Sequence, residues 1–368
     1  MTESTRTSAL ASRHIALGSA LEDWNDMGTA WSYNTNPNDE HDAVRDAAGM
    51  FDMSPLKKVY IRGADAEKVV DHVITRDMTK IEPGQSTYGA VLGESGTVCD
   101  DAIIANLGGN SYLHCHGSGE SMSLLAESAK SLDADVELDD DLHNIAFQGP
   151  MSLSLLDPHT PASLGDLGYF EHLSTEVFGH PCRLSRTGYS GERGYEILAS
   201  GSVIGDIWDN LLGHNESAGV MPCSFTALDK VRIEAALLFY GYDMTAEHTP
   251  WEVGLGFTIN TKKRDFRGKS AALASRGKER FWGAGISIDY NDAVNGGETL
   301  RLNGQDVGTL NSPGYSHRLG KSLALVHLSP EACAPGTRLE VVSDDINTSA
   351  VVENIPFFDA GKLRTHAR

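Results

Sequence analysis

A chain of 368 residues with 51 acidic against 30 basic side chains carries a formal charge of -21, which repels nucleic acid and anionic membrane surfaces and argues against both as partners. Its length exceeds what one hydrophobic core usually holds, so two or three domains are expected, and contents of 40% hydrophobic and 22% charged residues are ordinary for a globular protein. Five cysteines (Cys99, Cys115, Cys182, Cys223, Cys333) are odd in number and never closely paired, which speaks against a disulfide framework or a zinc knuckle.

No window reaches the ~18 uninterrupted apolar residues of a membrane helix, and the unpaired cysteines make the cytoplasm the expected compartment. The Ser/Thr-rich residues 1–14 lack an apolar h-region and read as a tail rather than a signal peptide. Acidic residues are scattered, with one cluster at Asp139-Asp140-Asp141, the pattern of a solvating surface such as a saline habitat favours. Residues 15–50 hold Trp24, Trp31 and Tyr33 in a loop rich in Asn, Asp and Gly, either a local mini-core or a lid, and then a short helix over 41–48 that Gly49 ends. The alternation over 51–61 predicts a strand, and 66–74 a helix. Residues 88–92 and 102–105 flank the turn Gly93-Glu94-Ser95-Gly96 as a hairpin, with Asp100 and Asp101 just past it. Over 111–116 the period of two puts His114 and His116 on one face; with no third ligand nearby, a polar sheet face is the simpler reading, and no metal site is expected. Helices are expected over 121–132, 152–156, 203–212 and 225–239, the last with Asp229 and Arg232 on polar faces, and a strand over 145–150. From about residue 281, short strands and turns such as Asn295-Gly296-Gly297 and Asn303-Gly304 replace helices, which reads as a separate all-β unit.

The most informative stretch is Arg186-Thr187-Gly188-Tyr189-Ser190-Gly191-Glu192-Arg193-Gly194-Tyr195-Glu196-Ile197. Turn formers surround Tyr189, and a strand begins at Tyr195 in which Tyr195 and Ile197 share one face and Glu196 takes the other. Two readings stay open on these residues alone. Glu196 is either a solvated hairpin carboxylate, or a carboxylate accepting two N–H bonds from a flat heterocycle with Tyr189 packed beside it. No phosphate loop, dinucleotide fingerprint, nucleophile elbow or Cys-x-x-Cys appears.

Taken in order, Gly49-Met50-Phe51-Asp52-Met53-Ser54, Asp100-Asp101, Phe147-Gln148-Gly149-Pro150, the stretch just quoted, Arg232-Ile233-Glu234-Ala235, Tyr240-Gly241-Tyr242-Asp243-Met244, Pro250-Trp251-Glu252-Val253-Gly254-Leu255 and Asp265-Phe266-Arg267-Gly268-Lys269 resemble the glycine cleavage T-protein (aminomethyltransferase) family. The resemblance runs from about Gly49 to Lys362. It implies an α+β fold of two interleaved α/β domains and a C-terminal antiparallel β-barrel, with tetrahydrofolate in a central cavity. The expected boundaries are 1–50 with 136–255 for the first domain, 51–135 for the second and 256–368 for the barrel with its linker. Carried over position by position, Asp101 is similar to the family's catalytic aspartate beside the reacting folate nitrogens. Glu196 resembles the carboxylate that holds the pterin, with Tyr189 next to it. Tyr88, Tyr169 and Leu56 fall on folate-lining positions, and Arg364 resembles an arginine near the folate tail.

The sequence also departs from the T-protein. Leu228 stands where the T-protein has an arginine, Met53-Ser54-Pro55-Leu56 replaces Val-Ser-His-Met, and His116 replaces an asparagine on the substrate side. The resemblance is therefore closer to the branch that moves methyl groups to tetrahydrofolate from dimethylsulfoniopropionate or from betaines and other N-methyl amines. Such donors leave as neutral molecules, need alignment more than acid catalysis, and favour aromatic faces. His116, Trp31, Tyr33, Tyr240 and Trp251 are the expected substrate-binding residues. The expected partner is a small-molecule methyl donor, and the expected assembly a monomer or homodimer. Two other readings compete: a true aminomethyltransferase, opposed by Leu228, and a non-catalytic iron–sulfur assembly factor, whose Lys-Gly-Cys motif is replaced here by Leu238-Phe239-Tyr240-Gly241.

Overall fold

The computed structural model describes residues 4–367. Two sheets and a barrel carry the architecture. The first sheet has six strands in the order His172–Val177, His180–Ser185, Gly194–Ser200, Leu142–Gln148, Gly49–Asp52 and Met221–Pro222, antiparallel except for the last pair. The helix Gly201–Asn215 lays Ile204, Ile207, Trp208 and Leu211 over Ile145, Phe147, Tyr195 and Ile197 of that sheet, forming its core. Between Asp52 and Leu142 the chain builds the second sheet. Its five antiparallel strands run in the order Ser86–Leu92, Val98–Gly108, Ser111–His116, Lys57–Arg62 and Asp135–Leu138. The helices Ala66–Val73 and Ser121–Ala129 cover one face, where valines at helical spacing (Val69, Val70, Val73) meet Val59, Ile61 and Ile104. A closed antiparallel barrel of six strands ends the chain: Trp282–Ile288, Lys321–Leu328, Gln305–Ser316, Thr299–Leu302, Arg338–Val342 and Asn347–Glu353. Alternate residues such as Ile286, Leu300, Val326 and Val341 fill it. The fold is α+β with an antiparallel C-terminal barrel.

Several expectations are corrected in detail. The strand expected over 51–61 is two strands in different sheets. Pro55 lacks an amide hydrogen to continue a ladder, and Asp52 Oδ1 takes the Ser54 amide (2.9 Å), turning the chain from one sheet to the other. Two expected domain boundaries, 50/51 and 135/136, fall inside strands, Gly49–Asp52 with the first sheet and Asp135–Leu138 with the second. Of the tail expected over 1–14, residues 1–3 lie outside the described residues, as does Arg368 at the end of the barrel domain. The rest is structured: Leu10 is fully buried, Ala11–Ala16 is a helix, and Ser8 Oγ and His14 Nε2 reach the buried Asp52 carboxylate (2.6 and 2.9 Å). The helix expected over 225–239 stops at Glu234, because Ala236 turns to a positive φ of 54° that a helix cannot continue. No helix among the described residues is long and apolar enough to cross a membrane.

Candidate functional site

The two sheets, the Phe225–Glu234 helix with the loop after it, and three barrel strands wall a central cavity of about 780 Å³. On the first-sheet wall, Tyr195 and Ile197 point into the core, and Glu196 faces the cavity beside Ala146 and Ser185, its cross-strand partners. Asn144 Nδ2 donates to Glu196 Oε1 (2.8 Å) and the Thr187 hydroxyl donates to Oε2. These bonds fix the carboxylate plane while its other lone pairs face the cavity. The loop before this strand depends on glycine. A Cβ at Gly188 or Gly194 would stand 1.9 or 2.4 Å from the Gln148 side chain, which the two glycines sandwich, and the Gln148 amide donates to Thr187 O (3.1 Å). Tyr189 follows on the wall, its hydroxyl donating to Leu238 O (2.6 Å), and burial lifts it well above the usual phenol range.

Asp101 faces the cavity from the second sheet. The hydroxyl of Tyr88, on the adjacent strand, donates to its Oδ2 (2.8 Å). Burial, then the charge of Asp100, push the Asp101 carboxyl up to about 7, against a smaller pull downward from the Tyr88 bond. Asp100 points through the sheet to the other face, fully buried, where its carboxylate accepts the Ser121 amide (3.2 Å) and lies 2.8 Å from His116 Nδ1. The imidazole is turned off line for a directed hydrogen bond, so this contact is electrostatic. His116 therefore borders the cavity at the strand's end while its ring sits with Asp100 beneath the sheet, because a period of two places it opposite Ala102 and not beside Asp101. The expected substrate residue His116 thus lies at the cavity's edge with its ring turned toward Asp100.

Of the other expected residues, Leu56, Tyr88, Tyr169 and Tyr240 line the cavity. Burial raises Tyr240 to about 12. Trp31, Tyr33, Trp251 and Arg364 do not line it. Trp31 packs on the far side of Phe225 (5.4 Å between ring centroids). Tyr33 is core, hydrogen-bonded to His14 Nδ1 (2.9 Å). Trp251 donates to Ala272 O (2.7 Å). Arg364 Nε closes on the buried Glu192 (2.7 Å), whose charge demands a partner, and is spent there.

Sequence reasoning missed five wall residues. Trp24, Phe225 and Phe239 form an aromatic corner (Trp24 to Phe225 5.1 Å, to Phe239 5.7 Å) next to Leu228. Arg183 and Arg186 supply cations, Arg183 pairing with His172 Nδ1 (2.9 Å); the buried Arg186 Nε and His172 Nε2 have no hydrogen-bond partner. The strand pattern was a usable signal for Arg183, two residues before Ser185 on the same face; nothing local marked Trp24 over Trp31.

The cavity fits tetrahydrofolate on its own chemistry. A carboxylate pinned on one side is free to accept adjacent N–H donors of an aminopyrimidine, a second carboxyl stands on the opposite sheet, and two unsatisfied buried nitrogens suit a carboxylate tail.

The model of the GCVT N-terminal domain matches residues 10–263, and that of the glycine cleavage T-protein C-terminal barrel domain matches 283–359. A heme-dependent oxidative N-demethylase gamma subunit from Ectopseudomonas mendocina is 41% identical over 377 residues, covering 100% of both chains. An aminomethyltransferase from Thermosynechococcus vestitus is 34% identical, covering 87% of each. A trimethylamine-oxide aldolase from Ruegeria pomeroyi is 33% identical over 83% of this chain and 40% of its own. Among solved structures, aminomethyltransferase T from Bartonella henselae shares the fold, with a TM-score of 0.89 at 23% identity over 96% of this chain and 98% of that one.

Proposed function

The chain belongs to the glycine cleavage T-protein family, and from that premise we propose that it is a tetrahydrofolate-dependent one-carbon transferase whose carbon comes from an N-methylated amine. The observation that carries this reading is the opposed pair on the cavity walls: Glu196, pinned by Asn144 and Thr187, and Asp101, pinned by Tyr88. Tetrahydrofolate, when bound, supplies the nitrogen that accepts the carbon. Glu196 would hold the pterin edge, and Arg183 and Arg186 the tail carboxylates, in place of Arg364.

Asp101 then stands at the reacting side. With its carboxyl near 7 it exists in both protonation states at neutral pH, so it can take the proton an amine nitrogen loses as it is alkylated. The aromatic corner of Trp24 and Phe239, beside the neutral Leu228, offers faces and no positive charge to a methylated ammonium. The donor class is supported by two relatives named for N-demethylation and for an aldolase acting on trimethylamine oxide.

Two oxidation levels of the carbon make different demands. An intact methyl group leaving an onium nitrogen, or the sulfonium of dimethylsulfoniopropionate, needs alignment and one proton acceptor. A carbon at the level of formaldehyde is two electrons more oxidised than the methyl group, so a separate oxidative demethylase must release it from the amine. Its transfer also needs a proton for the departing oxygen or nitrogen, which Asp101, with its carboxyl raised by burial, is placed to give. Protein and tetrahydrofolate incubated with a panel of N-methyl amines, betaines, dimethylsulfoniopropionate and formaldehyde distinguish them. The second reading expects methylene-tetrahydrofolate from formaldehyde faster than the uncatalysed condensation, the first 5-methyl-tetrahydrofolate from an onium donor. Neither product, together with release of ammonia from aminomethylated lipoyl carrier, would return the protein to glycine cleavage.

A further inference from the structure

The helix Pro37–Asp46 begins with a strong signature, Asn36 capping the Asn38 amide (2.9 Å) ahead of Pro37, and its middle and last turns abut the residues that follow the barrel strand Gln305–Ser316. There His41, Asp42 and His317 converge, their ligating atoms all within 4.8 Å of one another. His41 is fully buried. Its Nε2 lies 2.9 Å from Glu234 Oε2, off line for a directed hydrogen bond, and its Nδ1 has no hydrogen-bond partner and lies 3.6 Å from Asp42 Oδ1. His317 puts Nε2 2.8 Å from the same oxygen, and its Nδ1 is also without a partner.

We propose that His41 Nδ1, Asp42 and His317 form a binding site for a borderline divalent transition-metal ion, zinc by preference, that ties the N-terminal helix to the barrel. Two imidazoles and one carboxylate are a donor set for such an ion, with the remaining position open to water. Glu234 stands behind His41 on the side away from Asp42: its charge, 2.9 Å from Nε2, favours the ring proton there electrostatically and leaves Nδ1, 3.6 Å from Asp42 Oδ1, as the nitrogen with a free lone pair. A buried ring nitrogen without a partner is costly, and an ion would satisfy it.

The surrounding charge also leaves room for a cation. Four carboxylates (Asp42, Asp46, Glu192, Glu234) meet three guanidiniums (Arg45, Arg318, Arg364). Arg318 touches Asp42 (3.1 Å) but makes two bonds to Asp46 (2.8 and 2.9 Å), so it keeps a partner when Asp42 turns to an ion. Ligand bonds of ~2.0–2.1 Å set ligand atoms about 3.4 Å apart in a tetrahedron. The His41–Asp42 separation of 3.6 Å is near that already, and the half-buried His317 must shift.

The test uses the full chain, stripped with a chelator, dialysed and titrated with Zn²⁺ by calorimetry and with Co²⁺ by absorption. One ion per chain is expected, with a raised melting temperature and visible Co²⁺ bands that lack thiolate charge transfer, which excludes the cysteines. His317→Ala and Asp42→Asn, at half-buried positions, should each weaken binding ~tenfold or more, and Glu234→Gln ~10–100-fold, with folding checked by circular dichroism. Binding below stoichiometry, thiolate bands, or unchanged affinity in a folded His317→Ala or Asp42→Asn protein overturns the site.

Discussion

At the scale of single residues, Asp101 and Glu196 are both cavity carboxylates, yet their surroundings differ. Asp101 has a single side-chain donor and a neighbouring charge, and its carboxyl rises from 3.8 to about 7. A carboxyl raised on folding contributes stability that is fully present below its unfolded value and is lost as pH rises through the folded one. Three units correspond to roughly 4 kcal/mol, an upper bound because the carboxylate is partly open to the cavity, whose water screens it. Asp101→Asn should therefore melt higher than the wild type at pH 8, match it near pH 4, and lose most turnover; equal melting at both pH values would show that the charge is not strained. Asp100→Asn should do the opposite to stability, since its carboxylate faces Ser121 and His116 beneath the sheet. Glu196→Ala should weaken tetrahydrofolate binding by ~1–3 kcal/mol, about 5–150-fold in calorimetry, by leaving pterin donors unpaired. Glu196→Gln keeps the bond from Asn144 but replaces an acceptor with a donor, so it should bind no better than the alanine variant.

At the scale of elements, the strand Gly194–Ser200 was legible because a period of two assigns faces without any knowledge of partners: Tyr195 and Ile197 are core and Glu196 looks into the cavity. The same rule separated Asp100 from Asp101. It also held for His116, whose alternation with Cys115 points its ring under the sheet, but there the family position suggested the substrate side. Loops carry no such period. Trp24 ends the three-residue strand Glu22–Trp24, too short to show a period, and Trp31 and Tyr33 lie in the irregular stretch after its partner Met27–Thr29, so which ring meets the cavity depends on where distant Phe225 and Phe239 stand. Trp24→Ala should accordingly raise the KM for the methylated donor several-fold, while Trp31→Ala changes stability and leaves KM near wild type. In the helix Phe225–Glu234, Leu228 is buried and on the wall. Leu228→Arg would set a cation against a cationic donor; at ~4 Å and an effective dielectric of ~20 that costs ~4 kcal/mol. Amine turnover should fall by two orders of magnitude or more with tetrahydrofolate affinity retained, and a parallel loss of both would mean that the arginine had simply disrupted the wall.

At the scale of the molecule, two sheets and a barrel were legible from ordered motifs and from the change to short strands after residue 281. The loss of Arg364 to Glu192 was not, because a buried carboxylate and the terminal segment that neutralises it are 172 residues apart. All three units contribute wall to one cavity, so tetrahydrofolate at 100 times its dissociation constant should stabilise them together by ~2.7 kcal/mol. Calorimetry should show a single transition moving up; a barrel that melts separately at an unchanged temperature would contradict the shared wall.

The interrupted first sheet also sets a timetable for synthesis. Gly49–Asp52 leaves the ribosome long before its antiparallel neighbour Leu142–Gln148, and its parallel neighbour Met221–Pro222 comes later still. At ~5–20 residues per second the early strand waits roughly 5–20 s with an unpaired edge, while the inserted second sheet, whose strand pairings are all internal to 57–138, is free to form its ladders. The newborn chain is most exposed to sticking and to chaperones in that interval, and slowing translation between the two halves of the sheet should lower the yield of soluble protein without altering the finished fold.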